Sequence, residues 1–228
     1  MFPWFAPGCL ALALLALFFF LFPFFFVDAM LSALAKLGMS PEVSLLVLLG
    51  IFVGGLVDIP VRRIPRDEWV EVVPVSLFGL HRVWPRLVRR RTYTVLAVNV
   101  GGCVVPSLVA LYETFRMLAL GPRAFAALLV AVALNVWACH RVARPVPNLG
   151  VLMPPFVPAV LAAGSGLLLY REYAPSIAFA AGVFGPLVGA DLLNLREVVR
   201  TARGGASIGG AGTFDGIVLS GLVATLLA

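Results

Sequence analysis

Charged residues and histidines are scarce in this chain. Only 12% of its 228 residues are charged and 61% are hydrophobic, whereas a soluble domain has about 25% charged and about 45–50% apolar residues. This composition excludes an ordinary soluble globular domain. The two histidines, His81 and His140, do not belong to any metal-binding motif. The sequence therefore does not supply the residues needed for a zinc site or for a Ser-His-Asp triad.

Cysteine and nucleotide-binding signals are equally sparse. Cys9, Cys103 and Cys139 lie in apolar segments without metal-like spacing, so we interpret them as small packing residues. The sequence contains no Gly-x-x-x-x-Gly-Lys-Ser/Thr motif, which argues against nucleotide hydrolysis. We therefore expect neither a metal nor a cofactor.

Long apolar runs predict a bundle of membrane helices. One span needs roughly 20 mostly apolar residues, so the chain accommodates about seven spans in a single polytopic domain over residues 1–228. We expect an all-α membrane protein. The predicted helices cover approximately residues 2–27, 43–61, 93–117, 124–139, 151–170, 173–195 and 208–228. Three prolines, Pro154, Pro155 and Pro158, predict a kink or break in the fifth helix and an adjacent cavity.

Arginines indicate the orientation. The connectors after the second, fourth and sixth predicted helices contain most of the 17 basic residues, and the longest is a basic loop at about residues 62–92. By the positive-inside rule these loops are cytoplasmic, which places the N-terminus inside and the C-terminus outside. We expect the net charge of +6 to attract anionic lipids of the cytoplasmic membrane rather than nucleic acid. Asp58 precedes Arg62 by four residues, the spacing of a helical ion pair.

Two carboxylates, Asp191 and Asp215, lie inside apolar segments on either side of a short basic loop. An Asp at the centre of a membrane helix costs about 2.5–3.5 kcal/mol, so each is a candidate functional residue. At a helical rise of about 1.5 Å per residue, Asp191 lies about 7–8 Å deeper in the membrane than Arg196, and Asp215 lies about 12 Å deeper than Ser207. Similar depths would let the two side chains meet. Two adjacent carboxylates in a low dielectric share a proton and can activate water for peptide hydrolysis.

Two other interpretations remain open. In a purely structural one, Asp191 pairs with Arg196 or hydrogen-bonds Asn194, and Asp215 caps the glycine-rich start of the last helix. In a transport interpretation, both carboxylates, Asn194 and unwound glycine backbone bind a cation or carry protons. The residues that we expect to support or line the site are Asn99, Asn194, Gly210, Gly212 and Thr213.

The region around the two carboxylates resembles a known group of proteases. Asp191, a cytoplasmic loop and Gly210-Ala211-Gly212 ahead of Asp215 look like the intramembrane aspartyl proteases of presenilin, signal-peptide-peptidase and prepilin-peptidase type. Those families have Gly-x-Gly-Asp, whereas here Thr213-Phe214 separates the glycines from Asp215. The resemblance covers about residues 186–220. It implies metal-free hydrolysis of a membrane-embedded peptide by a two-Asp dyad.

A second resemblance spans most of the chain. Its motifs are Val98-Asn99-Val100-Gly101-Gly102, Gly189-Ala190-Asp191-Leu192-Leu193-Asn194 and the stretch from Ser207 to Gly216. They are similar to an uncharacterised prokaryotic multi-pass membrane family known as a domain of unknown function. This resemblance implies a membrane bundle and no particular activity.

Overall fold

The computed structural model describes residues 7–72, 86–146, 150–154, 156–201 and 205–228, and most of these residues are helical. The described α-helices are α1 (Pro7–Lys36), α2 (Pro41–Gly54), α3 (Val105–Leu120), α4 (Pro122–Val142), α5 (Phe156–Leu169), α6 (Ala174–Phe184), α7 (Leu195–Thr201) and α8 (Gly216–Leu227). A π-helical segment, Val100–Val104, leads into α3, and another, Gly185–Leu192, extends α6. The strands are β1 (Asp58–Val72), β2 (Arg86–Asn99), β3 (Arg144–Val146), β4 (Gly150–Leu152) and β5 (Gly205–Ile208).

Four helical stretches in the described part of the chain are long and apolar enough to cross a membrane. They are Gly8–Lys36, Val100–Leu120, Pro122–Val142 and Arg171–Leu192. Large apolar side chains such as Leu118 and Trp137 are exposed on their outer faces. A soluble monomer rarely exposes so much contiguous apolar surface, whereas a lipid environment would cover it.

Helix α6 forms the centre of the bundle and packs against α3, α4, α5 and α8. Its small residues let the neighbouring backbones approach closely, which is typical of helix contacts in membranes. A Cβ added at Gly182 would lie 2.8 Å from the carbonyl oxygen of Ser220. The Ser220 hydroxyl donates to the Gly182 carbonyl and joins α8 to α6. The core around α6 is therefore filled by closely packed backbones rather than by large side chains.

Asn135 on α4 joins three helices through one side chain. Its Nδ2 donates to the carbonyl oxygen of Pro158 on α5 at 3.1 Å and to that of Ala181 on α6 at 2.7 Å. The residue is fully buried, and its bond to the Ala181 carbonyl adds to the one that this oxygen accepts from the Gly185 backbone N–H. Pro158 lies in the first turn of α5, and Pro154 precedes the helix. No kink forms at these two prolines, because a helix tolerates proline at its start. The predicted break is present, since Gly150–Leu152 form β4 and α5 begins only at Phe156; Pro155 lies outside the described residues.

The all-α prediction is wrong where the chain forms strands. β1 and β2 make a long antiparallel hairpin that begins with Asp58 opposite Asn99. β5 runs parallel to β2, so the strand order is β1-β2-β5, and β3 and β4 form a separate antiparallel pair. As an edge strand, β1 tolerates Pro60 and Pro65. The basic segment predicted as a loop is thus largely this hairpin, while its residues 73–85, including His81, lie outside the described residues.

Several predicted helix boundaries also need correction. The first helix continues to Lys36 and contains Asp28, which we expected in a connector; the predicted residues 2–6 lie outside the described residues. The second helix ends at Gly54, the third begins only at Val100, and the last begins at Gly216. The fifth begins at Phe156, because Gly150–Leu152 form β4. The number of membrane spans and the orientation of the termini remain predictions.

Candidate functional site

Asp191 lies near the end of the π-helical segment that extends α6. This segment packs tightly on α4: a Cβ at Gly185 would lie 2.7 Å from Cγ of Asn135, and one at Gly189 would lie 2.9 Å from Cβ of Cys139. The small residues thus place the distorted end of α6 directly against α4. π-Helical turns occur frequently at functional sites because they change the direction in which side chains project.

The Asp191 side chain is half-buried and has no hydrogen-bond or ion-pair partner among the described residues. The expected contact with Asn194 is not formed. Asn194 Nδ2 instead donates to the carbonyl oxygens of Ala190 at 2.9 Å and of Gly189 at 3.3 Å, and so closes the end of the helix. Arg196 is exposed and makes no ion pair with Asp191. The structural explanation that we considered for Asp191 is therefore wrong.

Asp215 is the N-cap residue of α8. Its Oδ1 accepts a hydrogen bond from the backbone N–H of Ile217 at 3.0 Å, and its Oδ2 accepts one from that of Ala211 at 3.4 Å. A carboxylate at this position satisfies free helix N–H groups and interacts favourably with the helix dipole. The predicted capping role of Asp215 is confirmed.

One cavity brings the two carboxylates together. It has a volume of about 460 Å³, and both Asp191 and Asp215 line it. The remaining walls come from β4, β5, Val198 on α7 and the glycine-rich turn Gly209–Ala211. The residues described along this cavity thus combine two acids with apolar and backbone surface.

The glycine-rich turn owes its shape to two left-handed residues. Gly209 has a φ of 72° and Gly212 a φ of 60°, values that favour glycine. The turn also approaches other backbone segments: a Cβ at Gly102 would collide with the Gly209 carbonyl oxygen, and one at Gly212 would lie 3.2 Å from the Gly55 Cα. Gly210 borders the cavity. Gly212 and the buried Thr213 are not among its lining residues and support the turn instead.

Asn99 lies beneath the site and caps the π-helical turn that follows β2. Its Oδ1 accepts from the Gly102 backbone N–H at 2.7 Å, and its Nδ2 donates to the Gly55 carbonyl at 2.9 Å and to Asp58 Oδ1 at 3.2 Å. Ser207 Oγ on β5 donates to the same Asp58 oxygen at 2.6 Å. This network ties β1, β2 and β5 together below the cavity. Asn99 is therefore a structural residue and does not line the site.

Sequence reasoning missed the roles of Asp58 and Ser207 and most of the strands; only residues 69–73 were considered as a short strand, with the membrane interface as the alternative, and residues 69–72 belong to β1. The helical ion pair expected between Asp58 and Arg62 is wrong because both residues belong to β1, where a spacing of four does not bring side chains together as it does on a helix. The run Thr92-Tyr93-Thr94-Val95 was the available signal, since β-branched and aromatic residues favour strands.

The fold and the cavity define a mostly helical protein with four potential membrane spans among its described residues and a cavity lined by two carboxylates. The family model for "Protein of unknown function (DUF1614)" matches residues 52–227, so the chain belongs to that family. This match confirms the resemblance to an uncharacterised family. No curated protein and no solved structure matches the chain, and the resemblance to intramembrane aspartyl proteases remains a prediction.

Proposed function

We propose that this chain is a multi-pass protein of the cytoplasmic membrane that hydrolyses peptide bonds with Asp191 and Asp215. The observation that carries the proposal is that both carboxylates, which belong to different helical segments, line one cavity. Two carboxylates in a shared site of low dielectric are the groups required to activate a water and to protonate a carbonyl without a metal.

The hydrogen bonds of the two residues support different roles. Asp215 accepts two backbone N–H groups, and such bonds favour the ionised form of a carboxylate. Asp191 receives no hydrogen bond from the described residues, so we assign the shared proton to it. Asp215 then removes a proton from a water whose oxygen attacks the peptide carbonyl carbon, while Asp191 gives its proton to the carbonyl oxygen. Asp215 then passes the proton that it took from water to the amide nitrogen, and the C–N bond breaks. As the carbonyl re-forms, one hydroxyl of the tetrahedral intermediate returns a proton to Asp191, and the amine and the carboxylic acid are released.

The walls of the cavity support a peptide as the substrate. β5 pairs only with β2 among the described strands, and β4 pairs only with β3. Residues of both strands line the cavity, so each strand has a second edge on which no described strand is paired. Proteins commonly bind an extended peptide by adding it to such a sheet edge. A peptide held there would present its carbonyl groups beside Asp191 and Asp215.

The proposal is tested with purified protein in liposomes that contain a labelled membrane-spanning peptide library. Asp191→Asn and Asp215→Asn keep the side-chain size and remove the acid, so each should reduce cleavage to background. Glu172→Gln is the matched control, because Glu172 is exposed in the turn before α6, at the other end of the helix that leads to Asp191. Undiminished cleavage in either Asp variant would exclude the dyad.

A transport function is the alternative that one observation favours. The Asp191 carboxylate lacks a partner in the described part of the chain and is therefore available to a cation or a proton, as buried acids are in transporters. In that case the same liposomes would show ion or proton flux that Asp191→Asn abolishes, and the peptides would remain intact.

A further inference from the structure

A second cavity adjoins the candidate site, between the end of α4 and the β3–β4 hairpin. Its volume is about 500 Å³, and its lining residues are Arg141, Val142, Arg144, Leu152, Met153 and Pro154. Leu152 also lines the first cavity, so the two cavities are neighbours. The lining therefore combines two cationic side chains with an apolar wall.

The positive charge of this cavity is not neutralised by the described residues. Arg141 and Arg144 are both exposed, and neither forms an ion pair within the described ranges. Helix α7 packs against β3 and adds the exposed Arg196 and Arg200 to the same region. Glu197, the acid on that helix, makes no described ion pair either. An anionic ligand in the cavity would therefore meet two guanidinium groups, those of Arg141 and Arg144, that form no ion pair with a described residue.

An adjacent tryptophan indicates where this cavity lies relative to the lipid. Trp137 is 62% exposed one turn before Arg141, and the Arg141 guanidinium carbon lies 5.6 Å from the centre of its ring. Exposed tryptophan is enriched at membrane–water interfaces. Arg141 lies in the last turn of α4, a potential membrane span. The cavity thus lies where the apolar surface of α4 ends.

We propose that this cavity binds the headgroup phosphate of an anionic glycerophospholipid. Guanidinium groups bind phosphate oxygens in a bidentate manner, and basic pockets beside membrane helices are suited to lipid headgroups. The apolar wall of Leu152, Met153 and Pro154 is suited to the glycerol and upper acyl segments, which free phosphate lacks. This inference does not depend on the proposed hydrolase activity.

The proposal is tested by native mass spectrometry of the full chain in neutral detergent, with phosphatidylglycerol and phosphatidylcholine of identical acyl chains. The wild type should retain phosphatidylglycerol preferentially. Arg141→Ala/Arg144→Ala should weaken that binding roughly 30-fold, because each basic residue near an anionic lipid surface contributes about 1 kcal/mol. Excess inorganic phosphate should not displace the lipid.

The matched control is Arg123→Ala/Arg171→Ala, which removes two exposed arginines from the opposite end of α4 and from the turn before α6. It should leave the preference intact. An equal loss in both double variants would show that only overall charge matters and would overturn the proposal, as would displacement by inorganic phosphate alone or an undiminished preference in the Arg141/Arg144 variant.

A second measurement does not require the arginine variants to fold. A protein with Trp137 as its single tryptophan should be quenched more strongly by phosphatidylglycerol brominated near its headgroup than by the matching phosphatidylcholine. Equal quenching by the two lipids would contradict a specific headgroup site.

Discussion

Asp215 allows its structural and chemical roles to be separated by two substitutions at one position. Its two oxygens accept hydrogen bonds from Ile217 and Ala211 at 3.0 and 3.4 Å. Asp215→Ala removes both acceptors. Loss of an N-cap costs about 1 kcal/mol, and the longer bond contributes at most about 0.5 kcal/mol. We therefore expect the free energy of unfolding to fall by about 1–1.5 kcal/mol.

Asp215→Asn keeps one oxygen acceptor in nearly the same place. Asparagine caps helices about as well as aspartate, so only the longer bond is lost and the free energy of unfolding should fall by about 0.5 kcal/mol. Equilibrium unfolding in mixed micelles measures both values, and peptide cleavage is assayed on the same preparations. We expect cleavage to be lost in both variants despite their different stabilities. Equal destabilisation by Asn and Ala would refute the capping argument, while cleavage by the stable Asn variant would refute the dyad.

Three further predictions test the packing and the polar network with four substitutions, one of which is a control. Gly102→Ala should destabilise the fold by about 1–3 kcal/mol, because its Cβ would collide with the Gly209 carbonyl oxygen and the core is closely packed. The control is Gly164→Ala, which should be neutral or up to about 1 kcal/mol stabilising, because a Cβ at Gly164 would meet no atom within 4 Å. The same loss of stability at both glycines would contradict this prediction. Asn135→Leu should cost about 1–3 kcal/mol in the same unfolding assay, since two buried hydrogen bonds to the Pro158 and Ala181 carbonyls are lost; an unchanged value would mean that these bonds contribute nothing. Ser207→Ala should cost about 1 kcal/mol by removing the bond to Asp58 but should preserve peptide cleavage, and loss of cleavage in a folded variant would indicate a role for Ser207 in the chemistry.

The apolar runs were sufficient to predict most helices. A long stretch without charges indicates a membrane helix by itself, whereas a strand also depends on which other strand it pairs with and in which register. Most of the strands were not predicted, and the reason is physical. β2 ends in Val95-Leu96-Ala97-Val98, an apolar run that is continuous with the helix that follows, and apolar runs alone do not distinguish a buried strand from a helix. Parallel pairing of β2 with β5 also joins residues that are more than 100 positions apart, which no local pattern encodes.

The candidate site was predicted in part, and for different reasons at each residue. The cost of a carboxylate in apolar surroundings singled out Asp191 and Asp215, and the cavity brings them together. The predicted roles of Asn99 and Asn194 depended on helical faces, but Asn99 ends a strand and Asn194 bonds to its own helix end. The hydrogen-bond partners of an amide side chain depend on which nearby backbone groups are still unpaired in the fold. The sequence alone does not show which groups these are.

Asp191 is the residue whose substitution discriminates best between the interpretations. The stretches that carry the family resemblance converge below the cavity, where Asn99, Gly102 and Gly209 hold the turn that leads to Asp215. Asp215 itself caps α8, so a family of purely structural proteins would also need these residues to keep the fold. No such explanation applies to Asp191, since none of the described residues bonds to its carboxylate. A half-buried acid without a partner costs stability, so we expect Asp191→Asn to leave the free energy of unfolding unchanged or higher while it abolishes the function.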